Sequence, residues 1–318
     1  MTRRLTMSDK VERYLAHRRD LGYHRGPVRS YLRQFAAYAD RVGHRGPVTT
    51  ALVAAWARLP AGRGPACWAR RLSAARGLAR HLAATEPGTE IPPARLFGPA
   101  TPRPTPHVYT DAEVAALMAA AGRSRPAGRF APRSYAALVG LLACTGLRVS
   151  EALRLRRSDF DPARGLLTVR ETKFHKSRLV PLHPSAAAAL AAYARDRDGR
   201  VPGAADALLV TDRGGPLRYE VVRRAFHRWC AAAGVAARPA GRRPRIHDLR
   251  HTFACRRVER WYDAGADVGR EVGALAVYLG HVGVTGTYWY LTGTPELLAR
   301  AAARFEASAG PGRKEGRP

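Results

Sequence analysis

Residues 86–106 read EPGTEIPPARLFGPATPRPTP and contain seven prolines. Proline lacks the amide hydrogen and fixes φ, so a stretch this dense excludes a helix interior and a central strand. It reads as an extended linker and divides the chain in two. The expected organisation is a helical module over 1–85, a linker over 86–107, a larger domain over 108–308 and a Gly/Arg/Pro tail over 309–318. At 318 residues, each half is long enough to bury its own core. No internal repeat is present.

Charge narrows the function. Lysine and arginine number 54 against 25 acidic residues, a net of +29. A surplus of that size opposes compaction unless a polyanion meets it, so nucleic acid is the first partner to consider. The longest nearly apolar run, Tyr135 to Leu147, is far short of the ~20 residues of a membrane span. MTRRLTMSDKVERY has no apolar core behind its charges, unlike a secretory signal. Cys67, Cys144, Cys230 and Cys255 lie far apart, with no zinc spacing and no disulfide pattern. Cys144 and Cys230 are expected to be packed thiols, and the cytoplasm is the fitting compartment. No phosphate-binding glycine loop occurs, which argues against an ATP-driven machine.

Apolar residues at intervals of three and four predict four helices in the first module: one to Leu21 capped by Ser8 or Asp9, Val28 to Val42, Ala51 to Arg58, and Cys67 to Ala84. Arg70 and Arg71 on the fourth helix are candidate DNA contacts, though they equally suit a solvated face. Beyond the linker, Thr110 and Glu113 form a capping box for Asp111 to Ala121. Helices are expected over Ser134 to Cys144, Ser185 to Ala194, Tyr219 to Ala233, His247 to Tyr262, Arg270 to Leu279 and Pro295 to Ala307. Leu166 to Val169 and Leu179 to Leu182 flank a β-hairpin, and Leu208 to Thr211 is a further short strand. The fold class is mainly α with a small β-sheet.

Four local patterns carry chemistry. In CTGLRVSEALRL, Arg148 follows a helix-ending glycine, and Glu151 lies three residues on. A planar guanidinium held by a carboxylate can offer its fork to a phosphate, and the same spacing also suits a surface ion pair. In TKFHKSRLVPL, two of the chain's four lysines, Lys173 and Lys176, fall in one hairpin. Lysine can release a proton where arginine cannot, as a proton donor requires. In RRPRIHDLRHTFA, His247 and Arg250 share a helix face, and Arg242, Arg243 and Arg245 suit nonspecific phosphate contact. His251 is assigned to a different face and a structural role. In YLGHVGVTGTYWYL, His281 precedes Tyr288 and Tyr290. Geometry alone does not choose between the two tyrosines.

Taken together and in this order, TGLRVSE, the TKFHK lysine, HDLRHTFA and LGH followed nine residues on by tyrosine resemble the catalytic domain of the tyrosine recombinases, the phage-integrase and Xer-type enzymes. The resemblance covers residues 105 to 308, and the first module fits the family's helical core-binding domain in size and place. It implies that Arg148 and Arg250 clamp a scissile phosphate, with Glu151 orienting Arg148. Lys173 would be the general acid for the leaving 5′ oxygen, His247 a general base or phosphate hydrogen-bond partner, and His281 a bond to a nonbridging oxygen. Tyr290 would be the nucleophile, with Tyr288 its competitor. No metal and no cofactor are implied. The expected partners are double-stranded DNA carrying specific sites, a homo-tetramer joined by the amphipathic C-terminal helix, and other recombinases of the same element; no membrane is expected. The wording around Tyr290 resembles integrases of mobile elements. Xer-like resolution of chromosome dimers, a type IB topoisomerase and a catalytically silent DNA-binding protein are the rivals.

Overall fold

Thr6 starts the first helix: its hydroxyl accepts from the Asp9 amide at 3.1 Å while the Asp9 carboxylate accepts from the Thr6 amide at 2.9 Å. This reciprocal pair satisfies two amides that the first turn leaves open, so the cap is Thr6 rather than Ser8 or Asp9. Ser8 instead donates to Asp40, 2.6 Å away. The computed structural model describes residues 5–23, 27–59, 61–98, 106–124, 129–170, 177–236 and 243–280, with 299, 302 and 303 helical. It divides into two units, Met1–Arg103 and Pro104–Pro318.

In the first unit, helices α1 (Met7–Asp20), α2 (Pro27–Arg41), α3 (Thr50–Arg58) and α4 (Pro65–Ala83) surround Leu32, Phe35, Trp56, Leu72 and Leu78. Arg71 is a correction to the expected DNA contacts. It is 6% exposed, its guanidinium lies 4.0 Å from the Trp56 ring centroid, and it donates to the Trp56 carbonyl at 3.0 Å and to Gln34 at 3.2 Å. Helical periodicity places it on the same face as Ala74, Ala75 and Leu78, so it belongs to the core. Arg70 is exposed.

The proline-rich stretch also differs from a free linker. Glu86 pairs with Lys10 at 2.5 Å, and Glu90 donates its amide to Val48 and accepts from the Thr50 amide. Arg76 bonds the Pro92 carbonyl at 2.6 Å, and Phe97 meets Trp68 edge-on. Proline prevents a helix here, but carbonyls and aromatic rings remain available for packing.

The second unit is built around α6 (Ala131–Thr145), which buries Leu138, Val139, Leu141 and Leu142. Helix α5 (Asp111–Gly122) runs along it behind the expected Thr110–Glu113 capping box. A three-stranded antiparallel sheet of β1 (Phe160–Asp161), β2 (Leu166–Val169) and β3 (Arg178–Pro181) sets Leu167 opposite Val180 and Val169 opposite Arg178. Residues 207–216 form two isolated bridges instead of the expected strand. Helices α7 (Val149–Ala152), α8 (Pro184–Arg200), α9 (Tyr219–Ala232), α10 (Asp248–Asp263) and α11 (Val268–Leu279) complete the described residues. Cys230 and Cys255 are buried, whereas Cys144, expected to be packed, is exposed on α6. Among the described residues no helix is long and apolar enough to cross a membrane.

Candidate active site

Helix α6 ends where Gly146 turns left-handed at φ 62°. That turn delivers Arg148, in extended conformation, to the start of α7. The Glu151 carboxylate accepts from the Arg148 amide at 3.0 Å and from its Nη1 at 2.8 Å. Backbone and side chain of Arg148 are thus fixed by one carboxylate, which is itself 3% exposed.

Glu151 has a second partner that the sequence reading missed. Arg178, at the start of β3, donates through Nη2 to Glu151 Oε2 at 2.9 Å and through Nη1 to Oε1 at 3.3 Å. Strand alternation could have flagged it, because Arg178 stands two residues from the buried Val180 and so shares its face. Burial alone would raise the Glu151 carboxyl. The bonds from Arg178 and then Arg148 outweigh that and hold it at about 2, so it is ionised at neutral pH.

Arg250 lies on the first turns of α10, 2% exposed. Its Nη1 donates to the Gly146 carbonyl at 2.9 Å and its Nη2 to the Leu279 carbonyl at 2.8 Å. Arg148 Nη2 reaches the Gly280 carbonyl at 3.3 Å, and Arg178 Nε the Tyr278 carbonyl at 2.8 Å. Three guanidiniums therefore converge on the three consecutive carbonyls that end α11. The last carbonyls of a helix lack intrahelical partners and carry its negative dipole end, so cations are stabilised there.

His247 precedes α10 beside this cluster. The residue is exposed, yet partial desolvation of its ring, then the positive charge of Arg250, push it below the usual histidine range. His251 lies next to it, ring centroids 5.2 Å apart and nearly perpendicular. This corrects the expectation of a different face: residues four apart on a helix are neighbours. Desolvation, then the adjacent His247, push His251 down to about 4. Arg243 is exposed, while Arg245 is tied to the buried Asp248 at 2.8 Å. Lys173, Arg242, His281, Tyr288 and Tyr290 lie outside the described residues, although Gly280, which immediately precedes His281, closes the cluster.

Arg148 and Arg178 share one ionised carboxylate, Arg250 adds a third positive charge beside them, and the neighbouring histidines favour the neutral form. The balance is positive in a partly buried setting, where charge interactions are strong. Planar guanidiniums held in fixed orientation suit a tetrahedral oxyanion such as a phosphate diester. Among the described residues no three His, Cys, Asp or Glu side chains converge where a metal could bind.

The model of the phage integrase family matches residues 107–296. A Sinorhizobium fredii protein named as an integrase/recombinase, y4rB, is 37% identical over 309 residues, covering 95% of this chain and 97% of that protein. Tyrosine recombinase XerD of Mycobacterium tuberculosis is 38% identical over 240 residues, covering 72% of this chain and 70% of its own. The solved structure of the Tn1549 transposon integrase in complex with transposon right end DNA is similar in fold, with a TM-score of 0.66 and 17% identity, covering 95% of this chain and 100% of that one.

Proposed function

Because the chain belongs to the phage integrase family and is a tyrosine-type site-specific recombinase, we propose that it integrates and excises a mobile element by cutting and rejoining DNA through a 3′-phosphotyrosine. Arg148 and Arg250 bind the nonbridging oxygens of the scissile phosphate, with Glu151 orienting Arg148. The Tyr290 oxygen attacks phosphorus as the bond to the 5′ oxygen breaks. His247 accepts the phenol proton or bonds the phosphate, Lys173 protonates the leaving 5′ oxygen, and His281 bonds a nonbridging oxygen. The phosphodiester energy stays in the phosphotyrosine link, so attack by a new 5′-hydroxyl restores DNA without ATP. Fixed guanidiniums meet the charge that develops on the equatorial oxygens, the role that metal ions fill in many phosphoryl-transfer enzymes.

The observation that carries this reading is the convergence of Arg148 and Arg250 on the end of α11. The surplus of 29 positive charges supports a DNA partner, with exposed Arg70 and Arg243, the half-buried Arg245, and Arg242 as backbone contacts. The helical module over 1–85 and the catalytic domain over 108–308 both contact DNA. Four copies assemble on two sites. A cavity of about 940 Å³ with Met118, Leu141, Leu190 and Phe253 in its walls is the candidate seat for a neighbour's C-terminal segment, residues 295–308.

The test traps the covalent intermediate. Wild type, Tyr290→Phe and Tyr288→Phe are incubated with a nicked suicide duplex bearing the element's end and run on a denaturing gel. A DNA-linked band in wild type and Tyr288→Phe, absent in Tyr290→Phe, is expected. Loss of the band only in Tyr288→Phe would move the nucleophile by two residues. A gel shift without any band from wild type would sink the enzymatic role in favour of silent DNA binding. The XerD similarity favours a second reading, resolution of chromosome dimers. That reading requires recombination at a chromosomal site with a partner recombinase and none at an element end.

A further inference from the structure

We infer that Arg178 is a positioning residue for strand cleavage, fixing the Arg148 guanidinium through the carboxylate they share and joining the hairpin's return strand to the turn before His281. The inference rests on the phosphate-clamp reading above.

The geometry assigns Arg178 a role distinct from phosphate binding. Its side chain is 12% exposed, and both Nη atoms are turned onto the two oxygens of Glu151, at 2.9 and 3.3 Å. Its Nε points the other way, to the Tyr278 carbonyl at 2.8 Å. Arg148, by contrast, is 32% exposed and engages only one oxygen of that carboxylate through its side chain. The same carboxylate thus holds one arginine facing inward and one facing out.

The turn at the end of α11 is shaped around the inward arginine. Gly280 is left-handed at φ 69°, and a Cβ there would sit 2.7 Å from Arg178 Nη1 and 3.1 Å from its Cζ. No side chain fits at position 280 while Arg178 is in place. The carbonyl of that glycine is the one Arg148 Nη2 bonds, so Arg178 touches both anchors of Arg148. Its backbone meanwhile opposes Val169 across the hairpin that carries Lys173. Loss of Arg178 leaves the buried Glu151 held only by the amide and Nη1 of Arg148, and leaves the Gly280 turn without its filler. Lysine cannot substitute fully, since one ammonium cannot span a carboxylate and the Tyr278 carbonyl as a planar fork does.

The test uses the full-length protein and two suicide duplexes, one with a normal scissile phosphate and one with an uncharged methylphosphonate there. Arg178→Gln keeps a polar side chain but is shorter and loses the charge. It is expected to melt cooperatively, to shift DNA within about twofold of the wild-type midpoint, and to form covalent adduct about 10- to 100-fold more slowly on the phosphate, as for a weakened oxyanion donor. That deficit should shrink on the methylphosphonate, where no charge needs neutralising, as should that of Arg148→Ala. Adding Glu151→Gln to Arg178→Gln should slow cleavage by less than the product of the two single effects, because both act through one carboxylate. If Arg178→Gln fails to fold, Arg178→Lys takes its place, with the same methylphosphonate pattern and a smaller deficit. Wild-type rates in the folded variant, or equal slowing on both duplexes, overturn the inference. Absence of adduct from wild type on either duplex instead overturns the phosphate-clamp reading itself, and this inference falls with it.

Discussion

Arg250 donates to the carbonyl of Gly146 across 104 residues of sequence, at 2.9 Å. The partner is a backbone atom, so its position depends on Gly146 holding its left-handed turn. A Cβ at Gly146 would lie 2.5 Å from Phe253 Cδ1 and 3.1 Å from Cδ2 of Leu279, the residue whose carbonyl is the other anchor of Arg250. Gly146→Ala therefore meets backbone strain and overpacking together, for a loss of about 2–4 kcal/mol in chemical denaturation. Adduct formation should slow as well, because the Gly146 carbonyl moves. An alanine variant as stable as wild type would show that the turn relaxes without disturbing Phe253.

Arg148→Ala removes a guanidinium while leaving Glu151 its bonds to Arg178. The variant should fold and shift DNA, yet cleave about 10²–10³-fold more slowly, as other single oxyanion donors do. Single-turnover adduct formation reads this directly. Cleavage at the wild-type rate would remove Arg148 from the reaction.

Arg70 and Arg71 are adjacent in sequence and opposite in consequence. Arg71→Ala empties a buried site stacked on Trp56 and strips two hydrogen bonds, so it should lower stability by about 2–4 kcal/mol. DNA affinity of the folded fraction should hold. Arg70→Ala, on an exposed position, should alter stability by no more than about 0.5 kcal/mol. If Arg70 meets a phosphate, its loss reduces the salt slope of binding by about one. Thermal melts and salt-dependent gel shifts on the same two proteins separate these effects, and the reverse pattern would refute the assignment.

The contrast shows what the sequence could and could not disclose. Helices with a strong apolar period were legible to within a few residues, as α3 and α9 show, because their caps and periodicity are local. The Thr110–Glu113 box and the Arg148–Glu151 pair were legible for the same reason: the partners are three residues apart. Arg178 joins positions 151 and 278, and no local rule links those. The packing of residues 86–97 was hidden because proline chemistry forbids regular structure but says nothing of carbonyls that accept from Arg76. Residues 208–211 have the composition of a strand yet find only isolated bridging partners, since a strand needs a neighbour and not just propensity.

Glu151 gives stability a pH signature. Its carboxyl sits at about 2 against an ordinary 4.5, so the unfolded chain binds its proton first as pH falls. The contribution is complete above about 4.5 and is lost as pH drops toward 2. Glu151→Gln should remove that part of the acid slope, and at neutral pH should lower stability by about 3–5 kcal/mol, because two guanidiniums lose their buried counter-charge. Denaturant melts at a series of pH values test both. Equal acid slopes for the two proteins across that window would contradict it.

His251 acts in a higher window. Desolvation, then the neighbouring His247, lower it from 6.5 to about 4, so the native state resists a proton that the unfolded chain accepts. A depressed pKa means stability is intact above about 6.5 and declines as pH falls toward 4. His247 is lowered too and adds to the same decline. Removing the imidazole by His251→Gln should flatten the melting temperature between pH 6.5 and 4.5, a range in which Glu151 stays ionised and contributes little change. An unchanged melting profile between pH 6.5 and 4.5 would mean that the native state does not resist protonation of His251 as its desolvation requires.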